Sequence, residues 1–361
     1  MKSWEQNIRK VEPYVPGEQP QEQNIIKLNT NENPYPPSPG VYEVQKSIDV
    51  NRFALYPDPS AGKLVRKLEQ YYGLEEGQVF VGVGSDDVLA MCFLTFFNDR
   101  RRPVLFPDIT YSFYDVWADL FRIPYETVPL DDAFRIRPEQ YERENGGIVF
   151  PNPNAPTGRA LSLGEVERII AANPQSAVIV DEAYVDFGAE SAAGLIPKYD
   201  NLIVVQTFSK SRSLAGMRIG FAMGNEKLIK CLNDCKYSFN SYTMNRFVIE
   251  AGAAIVRDEE TFREQTEKIV RTRERVTKEL RGLGFQIPES ASNFVFASHP
   301  AVTAAHLFTW LKERKIYVRW WDKPRIRNHL RITIGTDREM DLLIDALKEY
   351  LDSPSCRGEE A

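Results

Sequence analysis

The chain has 361 residues, of which 43% are hydrophobic and 27% charged, and its formal net charge at pH 7 is −6. This length suits a large domain with a smaller one, and the composition is typical of a globular protein. The negative net charge argues against a nucleic-acid partner. The one basic run that stands out, Arg100-Arg101-Arg102, is short and more typical of a solvated turn.

The first fifty residues are predicted to form an arm. Two segments, 11–17 and 31–39, are too rich in proline for regular structure, because each proline removes a backbone donor and restricts the residue before it. Residues 1–10 lack the apolar core of a signal peptide, and the longest nearly apolar run, 88–97, is about half as long as a membrane span. We therefore expect a cytoplasmic protein with no membrane partner.

Alternating strand and helix patterns follow the arm. Strands are predicted over 79–84, 103–107, 125–130, 148–150, 177–184, 202–206 and 219–224. Helices are predicted over 64–72, 85–94, 166–170, 228–232 and 244–256, and after Tyr114. The unbroken apolar run 177–180 is typical of a strand covered on both faces in a parallel sheet, and such sheets bind ligands at the carboxyl ends of their strands.

A second alternating region closes the chain. It begins with a predicted helix over 262–280, which Gly282 and Gly284 are expected to end. Strands are then predicted over 292–296, 316–319 and 330–335, and helices over 304–314 and from Arg338. We expect the helix at 244–256 to link the two regions and the tail 353–361 to be frayed.

The four cysteines suggest neither disulfides nor a metal site. Their spacing forms no disulfide pattern for a chain of this length, and free thiols fit a reducing compartment: Cys92, Cys231, Cys235 and Cys356. The second and third are four residues apart on a predicted helix and could form one side of a metal site. The histidines lie in other elements, so no metal is predicted: His299, His306 and His329.

Gly84 ends a predicted strand, and Ser85-Asp86-Asp87 is expected to cap the helix that follows. Free backbone N–H groups and the helix dipole at such a point can bind a phosphate, although capped helices without a ligand are common. With one Gly-x-Gly and no third glycine, the loop gives weak support for nicotinamide binding.

Lys210 follows the predicted strand 202–206 within the segment TFSKSRSLAGMRIGF, residues 207–221. Partial burial there would lower the pKa of the lysine and free its neutral amine to form a Schiff base with a carbonyl. Thr207, Ser209 and Arg218 are donors of the kind that hold a phosphate. A lysine amine beside a phosphate holder suggests pyridoxal 5'-phosphate (PLP), whereas a solvated surface lysine is the alternative.

Two charges fall in apolar strand patterns, where each should have a partner. Asp181 ends the run at 177–180, and a cationic pyridinium nitrogen would be such a partner; a helix cap or an ordinary salt bridge is the alternative. Arg331 lies in the strand pattern at 330–335, where an ordinary salt bridge is again the alternative.

The segment at 207–221, with Asp181-Glu182-Ala183-Tyr184 upstream and HLRITIGT (329–336) downstream, resembles fold-type I PLP enzymes. Among them the chain is similar to the histidinol-phosphate aminotransferases from about Tyr14 to about Leu351. The resemblance implies an α/β fold with a large domain on a mostly parallel seven-stranded sheet and a smaller α+β domain. It also implies an arm at 1–45 packed on the small domain and over the active site, a PLP-binding domain at 46–270 and a small domain at 271–361.

The resemblance also assigns residues to the site. The catalytic residues implied are Lys210, which holds the cofactor and moves the α-proton, Asp181, which keeps the ring nitrogen protonated, Tyr111, which stacks on the ring, and Tyr184. The phosphate contacts implied are Gly84, Ser85, Asp86, Thr207, Ser209, Arg218 and Tyr56, the last reaching across a homodimer. The substrate contacts implied are Tyr14, Asn31, Glu32, Arg319 and Arg331, with Arg331 gripping the α-carboxylate.

One position departs from the family pattern. Many relatives carry asparagine immediately before Pro-Thr-Gly, where it hydrogen-bonds the phenolic oxygen of the cofactor, but this chain has Ala155. Either Tyr184 or Asn154 would then supply the contact, and we favour Tyr184.

The activity that the resemblance implies is conversion of L-histidinol phosphate and 2-oxoglutarate to imidazole acetol phosphate and L-glutamate, in histidine biosynthesis. An aromatic amino acid aminotransferase is the nearest alternative, and a phosphothreonine decarboxylase-like lyase is more remote. A PLP-binding regulator and a nicotinamide oxidoreductase are alternatives from other classes, but no helix-turn-helix extension or basic face supports the first.

Overall fold

The computed structural model describes residues 2–353, so the predictions for Cys356 and for 354–361 lie outside the described residues. In chain order the strands are β1 (Ile26–Lys27), β2 (Val79–Val83), β3 (Val104–Pro107), β4 (Tyr125–Val128), β5 (Gly147–Pro151), β6 (Val178–Asp181), β7 (Leu202–Thr207), β8 (Ile219–Gly224), β9 (Phe294–Ala297), β10 (Ile316–Tyr317), β11 (Arg319–Trp320) and β12 (Leu330–Thr333). The helices are α1 (Pro39–Ser47), α2 (Gly62–Tyr72), α3 (Gly84–Phe96), α4 (Tyr114–Phe121), α5 (Leu163–Ala172), α6 (Glu226–Phe239), α7 (Arg246–Ile255), α8 (Glu259–Gly282), α9 (Ala304–Glu313) and α10 (Asp337–Asp352).

The larger part is built on a sheet with the strand order β2-β8-β7-β6-β5-β3-β4. Strands β3 to β7 run parallel, and β8 is antiparallel to both of its neighbours. In β6, Val178 and Val180 belong to the apolar cluster on one face of the sheet, whereas Ile179 belongs to the cluster on the other face. The run is therefore unbroken because, as predicted, the strand is covered on both faces of the sheet. The prediction of a mostly parallel seven-stranded sheet is confirmed within the described residues.

The smaller part holds a second apolar core under an antiparallel sheet, ordered β11-β12-β9. The single strand predicted over 316–319 is wrong: the structure has two short strands with different partners. β10 pairs with β1 of the arm, and β11 pairs with β12. The chain changes sheets at Val318, between these strands.

The N-terminal segment contains more regular structure than its prolines predicted. β1 adds to β10, and residues 39–47 form α1, which packs on α7. Pro39 occupies the first helical position, where its missing N–H costs no hydrogen bond, and the Ser38 side chain caps the helix. The predicted limit of the arm at residue 45 falls inside α1, and the division into 1–45, 46–270 and 271–361 stays a prediction.

Helix α8, and not the predicted segment 244–256, links the two parts. The buried side chains of α7 belong to the larger core, whereas Ile269, Val276 and Leu280 of α8 belong to the smaller one. The first turn of α8 stays with the larger part, because the Arg212 guanidinium lies 4.3 Å from the centre of the Phe262 ring. Across residues 2–353, no helix is long and apolar enough to cross a bilayer.

Candidate active site

Two adjoining cavities of about 440 and 330 Å³ lie where β2, β5, β6 and β7 end. Both are lined by Thr30, Asp86, Tyr111, Ala155, Tyr184, Lys210 and Arg218. The larger cavity is also lined by Tyr14, Asn31, Arg319 and Arg331, and the smaller one by Glu32, Ser85, Asp181, Thr207 and Ser209. The parallel strands and the smaller part thus bring most of the predicted site residues together; Gly84, Asn154 and Tyr56 line neither cavity.

Lys210 extends from the loop after β7 into both cavities. Its Nζ donates a hydrogen bond of 2.9 Å to the Thr30 carbonyl of the arm and lies 5.8 Å from the centre of the Tyr184 ring. Burial, and next the positive charge of Arg331, lower the pKa of Lys210 to about 8. Its amine is therefore far more readily deprotonated than that of a solvated lysine.

Asp181 is buried at the end of β6. The Tyr114 hydroxyl donates to its Oδ2 at 2.8 Å, and the Ala183 N–H donates to its Oδ1 at 3.2 Å. Burial raises the pKa of Asp181 to about 6, although these two hydrogen bonds act in the opposite direction. Within residues 2–353 no cation pairs with Asp181, so the ordinary salt bridge considered from the sequence is not observed.

The predicted phosphate site at the start of α3 differs from its prediction in where the helix begins. α3 already begins at Gly84, so Ser85-Asp86-Asp87 is its first turn and not its cap; the Asp87 carboxylate instead accepts from the Val83 N–H at 2.8 Å. Gly84 has a φ of +82°, and a Cβ there would lie 2.3 Å from the Arg218 guanidinium. This glycine therefore lets Arg218 approach the N–H groups that open the helix.

Arg218 is held by a carboxylate of that first turn. Its Nη2 donates to Asp86 Oδ2 at 2.9 Å, and the Tyr111 hydroxyl donates to Asp86 Oδ1 at 2.6 Å. Arg218 Nη1 also donates to Ser209 Oγ at 3.4 Å, and Ser209 accepts from the Thr207 hydroxyl at 2.9 Å. One guanidinium, two hydroxyls and the start of α3 thus converge on one end of the smaller cavity, as an anion requires.

Two arginines line the opposite side. Arg331 donates from Nη2 to the Asn29 carbonyl at 2.9 Å, and its buried Nε has no partner among residues 2–353. Arg319 donates to the carbonyls of Val15 and Pro16, at 3.1 and 3.3 Å. Trp321 lies 5.2 Å from each guanidinium, measured to its ring centre. Two guanidinium groups on one cavity wall are chemically able to bind anionic groups.

Three residues predicted to contact the substrate, Tyr14, Asn31 and Glu32, belong to the N-terminal arm. Tyr14 stacks on Phe113 with ring centres 4.1 Å apart. Asn31 donates from Nδ2 to the Tyr184 hydroxyl at 2.9 Å, and Glu32 forms an ion pair with Lys27. These contacts fix the arm over the cavities.

Asn154 and Tyr56 lie elsewhere. The amide of Asn154 is buried and fully engaged, donating to the Ile109 carbonyl and to Thr157 and accepting from Thr110. The Tyr56 side chain is 79% exposed, and its ring centre lies 4.6 Å from that of Tyr242. Within a single chain, neither residue can contact a molecule in these cavities.

Sequence reasoning missed three neighbours of the site: Thr30, Tyr114 and Trp321. Each acts through a contact between segments that are distant in the chain, as when the Thr30 carbonyl accepts from Lys210. Only the tryptophan gave a hint, since it adjoins Arg319 in the run Arg319-Trp320-Trp321. Among residues 2–353, no group of three or more His, Cys, Asp or Glu side chains could hold a metal ion.

A lysine and a buried aspartate at the strand ends of this fold define an aminotransferase of class I or II. The family model described as aminotransferase class I and II matches residues 23–347, and the chain belongs to this family. Within it, the chain is a member of the histidinol-phosphate aminotransferases. It is 50% identical to that enzyme of Clostridium beijerinckii and 52% identical to that of Lactococcus lactis subsp. cremoris, in each case over 97% of this chain and 98% of the relative.

A solved structure agrees with the curated relatives. The histidinol-phosphate aminotransferase from Sinorhizobium meliloti, in complex with PLP, superposes with a TM-score of 0.81 at 25% identity and covers 90% of each chain. Membership in this family favours the aminotransferase prediction over the lyase, regulator and oxidoreductase alternatives.

Proposed function

We propose that this enzyme uses PLP to transfer the amino group of L-histidinol phosphate to 2-oxoglutarate, yielding imidazole acetol phosphate and L-glutamate in histidine biosynthesis. The observation that carries the proposal is the pairing, in one cavity, of a lysine whose pKa is lowered with a buried carboxylate that has no cationic partner among residues 2–353. We further propose that it works in the cytoplasm, since Cys92, Cys231 and Cys235 are free thiols.

The residues present fit PLP. Asp181 offers a buried negative charge to the ring nitrogen, Tyr111 offers a ring face, and Lys210 offers an amine to the aldehyde. Gly84, Ser85, Asp86, Thr207, Ser209 and Arg218 would hold the phosphate. When bound, PLP supplies an electron-withdrawing ring that acidifies the carbon bearing the amino group of the substrate.

Lys210 would act as the general base and acid. Its Nζ is free to move once it leaves the Thr30 carbonyl, and with a pKa near neutrality it can both accept and return a proton. Tyr184 and Ala155 both line the two cavities, and the Tyr184 hydroxyl, which accepts from Asn31, would replace the asparagine of other relatives. Asn154 is left out of this role because its amide is already engaged.

Arg331 and Arg319 would bind two anions in turn, the carboxylates of glutamate or 2-oxoglutarate and the phosphate of histidinol phosphate. The two side chains share Trp321 and the same cavity wall, which supports a common anion site. Tyr14, Asn31 and Glu32 of the arm would close that site from above.

The reaction is tested by adding L-histidinol phosphate to the PLP-loaded enzyme without an acceptor and following the visible absorbance. We expect the band of bound PLP to disappear and to return when 2-oxoglutarate is added. Conversion by phenylalanine with no response to histidinol phosphate would instead assign the aromatic aminotransferase activity.

We propose a homodimer in which the partner's Tyr56 completes the phosphate site. Exposed apolar side chains concentrate in the segments 50–56 and 237–242, which the Tyr56–Tyr242 ring contact joins. Apolar side chains gathered in this way are typical of an interface with another chain. In the isolated chain, Tyr56 is free to reach a second copy.

Mixing two inactive variants tests this arrangement. Lys210→Ala and Tyr56→Ala, co-refolded in equal amounts, should recover about a quarter of the wild-type activity, because half of the random dimers contain one complete site. If Tyr56 serves its own chain, the mixture stays as inactive as the weaker parent. Lys210→Ala mixed with wild type provides the control for subunit exchange.

A second prediction concerns the loading of the apoenzyme with PLP. Because burial lowers the pKa of Lys210 to about 8, the neutral amine should predominate above that pH. The incorporation rate, followed by stopped-flow absorbance, should therefore rise through about pH 8 and then level off. A rate that continues to rise to pH 10 would show an ordinary solvated lysine.

A further inference from the structure

Arg159, on the loop after β5, is partly buried, and its guanidinium makes no hydrogen bond among residues 2–353. Its side chain is 13% exposed, and within residues 2–353 none of its five N–H donors meets an acceptor at hydrogen-bond distance. The buried Nε is wholly without a partner. The nearest carboxylate is that of Glu289, at 3.6 Å, but this side chain is itself 87% exposed. Leaving the buried Nε unsatisfied is costly, so the geometry indicates an acceptor from outside the chain.

A cavity of about 200 Å³ adjoins this guanidinium. A second arginine, Arg135, lines it and makes no ion pair within the described residues. Arg135 is an exposed residue, and its positive charge, after burial, lowers the pKa of Arg159. The cavity has space for about six waters, enough for a small oxyanion. None of the residues that line it also lines the two active-site cavities.

The acidic side chains of this cavity do not neutralise both arginines. Glu165 is engaged by the N–H and hydroxyl of Ser162, in the capping box of α5. Glu289 contacts Arg159 only at a distance beyond a normal hydrogen bond and extends into solvent. It can therefore be displaced by an anion that offers several oxygens at once.

We propose that Arg159 and Arg135 bind the phosphate group of a small ligand in this cavity, in competition with Glu289. Two arginines that line the same small cavity match the several oxygens of a phosphate better than a single carboxylate. The site lies where the loop after β5 meets the smaller part, because the Ala291 N–H donates to the Gly158 carbonyl at 2.9 Å. The proposal concerns binding alone and is independent of the reaction proposed above.

Calorimetric titration of the PLP-saturated holoenzyme with inorganic phosphate, at constant ionic strength, tests the proposal. Arg159→Gln and Arg135→Gln should each weaken binding at this site by about tenfold or more, because each removes a charged donor. Glu289→Gln should strengthen binding severalfold, because it removes the competing carboxylate. The matched control is Arg143→Gln, which alters an exposed arginine paired with Glu126 outside the cavity. Phosphate bound elsewhere contributes equally to all variants, so the differences report this site.

Unchanged phosphate affinity in both arginine variants would overturn the proposal, as would weaker binding in Glu289→Gln. The glutamate variant keeps the test decisive even if Arg159→Gln fails to fold. Titrations with glycerol 3-phosphate and with acetate distinguish the source of the anion. Tighter binding of glycerol 3-phosphate than of inorganic phosphate would indicate that the ligand is a phosphorylated metabolite. Tighter binding of inorganic phosphate would indicate that the ligand is free phosphate. Acetate binding as tightly as either would contradict the assignment of a phosphate.

Discussion

Lys210→Ala is expected to lower the rate of transamination by at least about 10⁴-fold, because in the proposed mechanism this one side chain is both the attachment point for PLP and the proton carrier. In the part of the chain that the structure describes, no other lysine lines the two cavities, so no neighbouring lysine amine is placed to replace it. The measurement is the single-turnover rate with L-histidinol phosphate in excess of the PLP-loaded variant.

Lys198→Ala provides the matched control for this change. Lys198 is exposed, and its Nζ pairs with Glu167 at 2.5 Å on the surface. Its loss should leave the rate within about twofold of wild type, since exposed ion pairs contribute little. Equal thermal unfolding midpoints would show that Lys210→Ala has retained the fold. A Lys210→Ala enzyme with an undiminished rate would refute the assignment of this lysine.

Asp181→Asn should produce the second largest loss, roughly 10²- to 10⁴-fold in kcat, comparable to removing one partner of a buried ion pair. Asparagine has nearly the same shape: its Oδ1 can still accept from the Ala183 N–H, and its Nδ2 can donate to the Tyr114 hydroxyl oxygen in place of the bond that Asp181 accepts, so the packing is preserved. What disappears is the negative charge that, in the proposed mechanism, would pair with the ring nitrogen of PLP. The kcat should be measured at saturating substrate, with PLP content determined separately by absorbance.

Tyr114→Phe is the corresponding milder change. It removes one hydrogen bond that lowers the pKa of Asp181, so this pKa should rise and the acid limb of the pH–rate profile should shift to higher pH. The loss at the pH optimum should be much smaller than for Asp181→Asn. If the two variants lose equal activity, the charge of Asp181 is not what the enzyme uses.

The parts of the site that could be predicted from the sequence are those set by local patterns. Lys210 and Asp181 follow apolar strands, and residues at the carboxyl ends of parallel strands share one edge of the sheet whatever the rest of the chain does. Gly84, Thr207 and Ser209, which are predicted to hold the phosphate, likewise lie at or just beyond the ends of strands. A sheet covered on both faces was likewise evident in the run 177–180, whose side chains alternate between two cores.

The parts that could not be predicted depend on contacts between distant segments. The Tyr114 hydroxyl reaches Asp181 across 67 positions of sequence, and Thr30 reaches Lys210 across 180. The helix at Pro39–Ser47 does not follow from the local pattern, because a proline-rich segment indicates irregular structure although Pro39 fits the first helical position. The sequence also does not show that the amide of Asn154 is engaged by Ile109, Thr157 and Thr110, which leaves it no free group for a cofactor.

The reversed direction of β8 has a consequence for how the site assembles during folding. β7 and β8 form a ladder in which Thr207 lies opposite Gly220, so the loop between them, which carries Lys210 and Arg218, is closed by neighbouring strands of one hairpin. Closing so short a loop costs little chain entropy. We therefore expect both cations to take up their relative positions early, in the phase dominated by local contacts. Arg331 and the arm, which need contacts across most of the chain, would join only when the two cores dock.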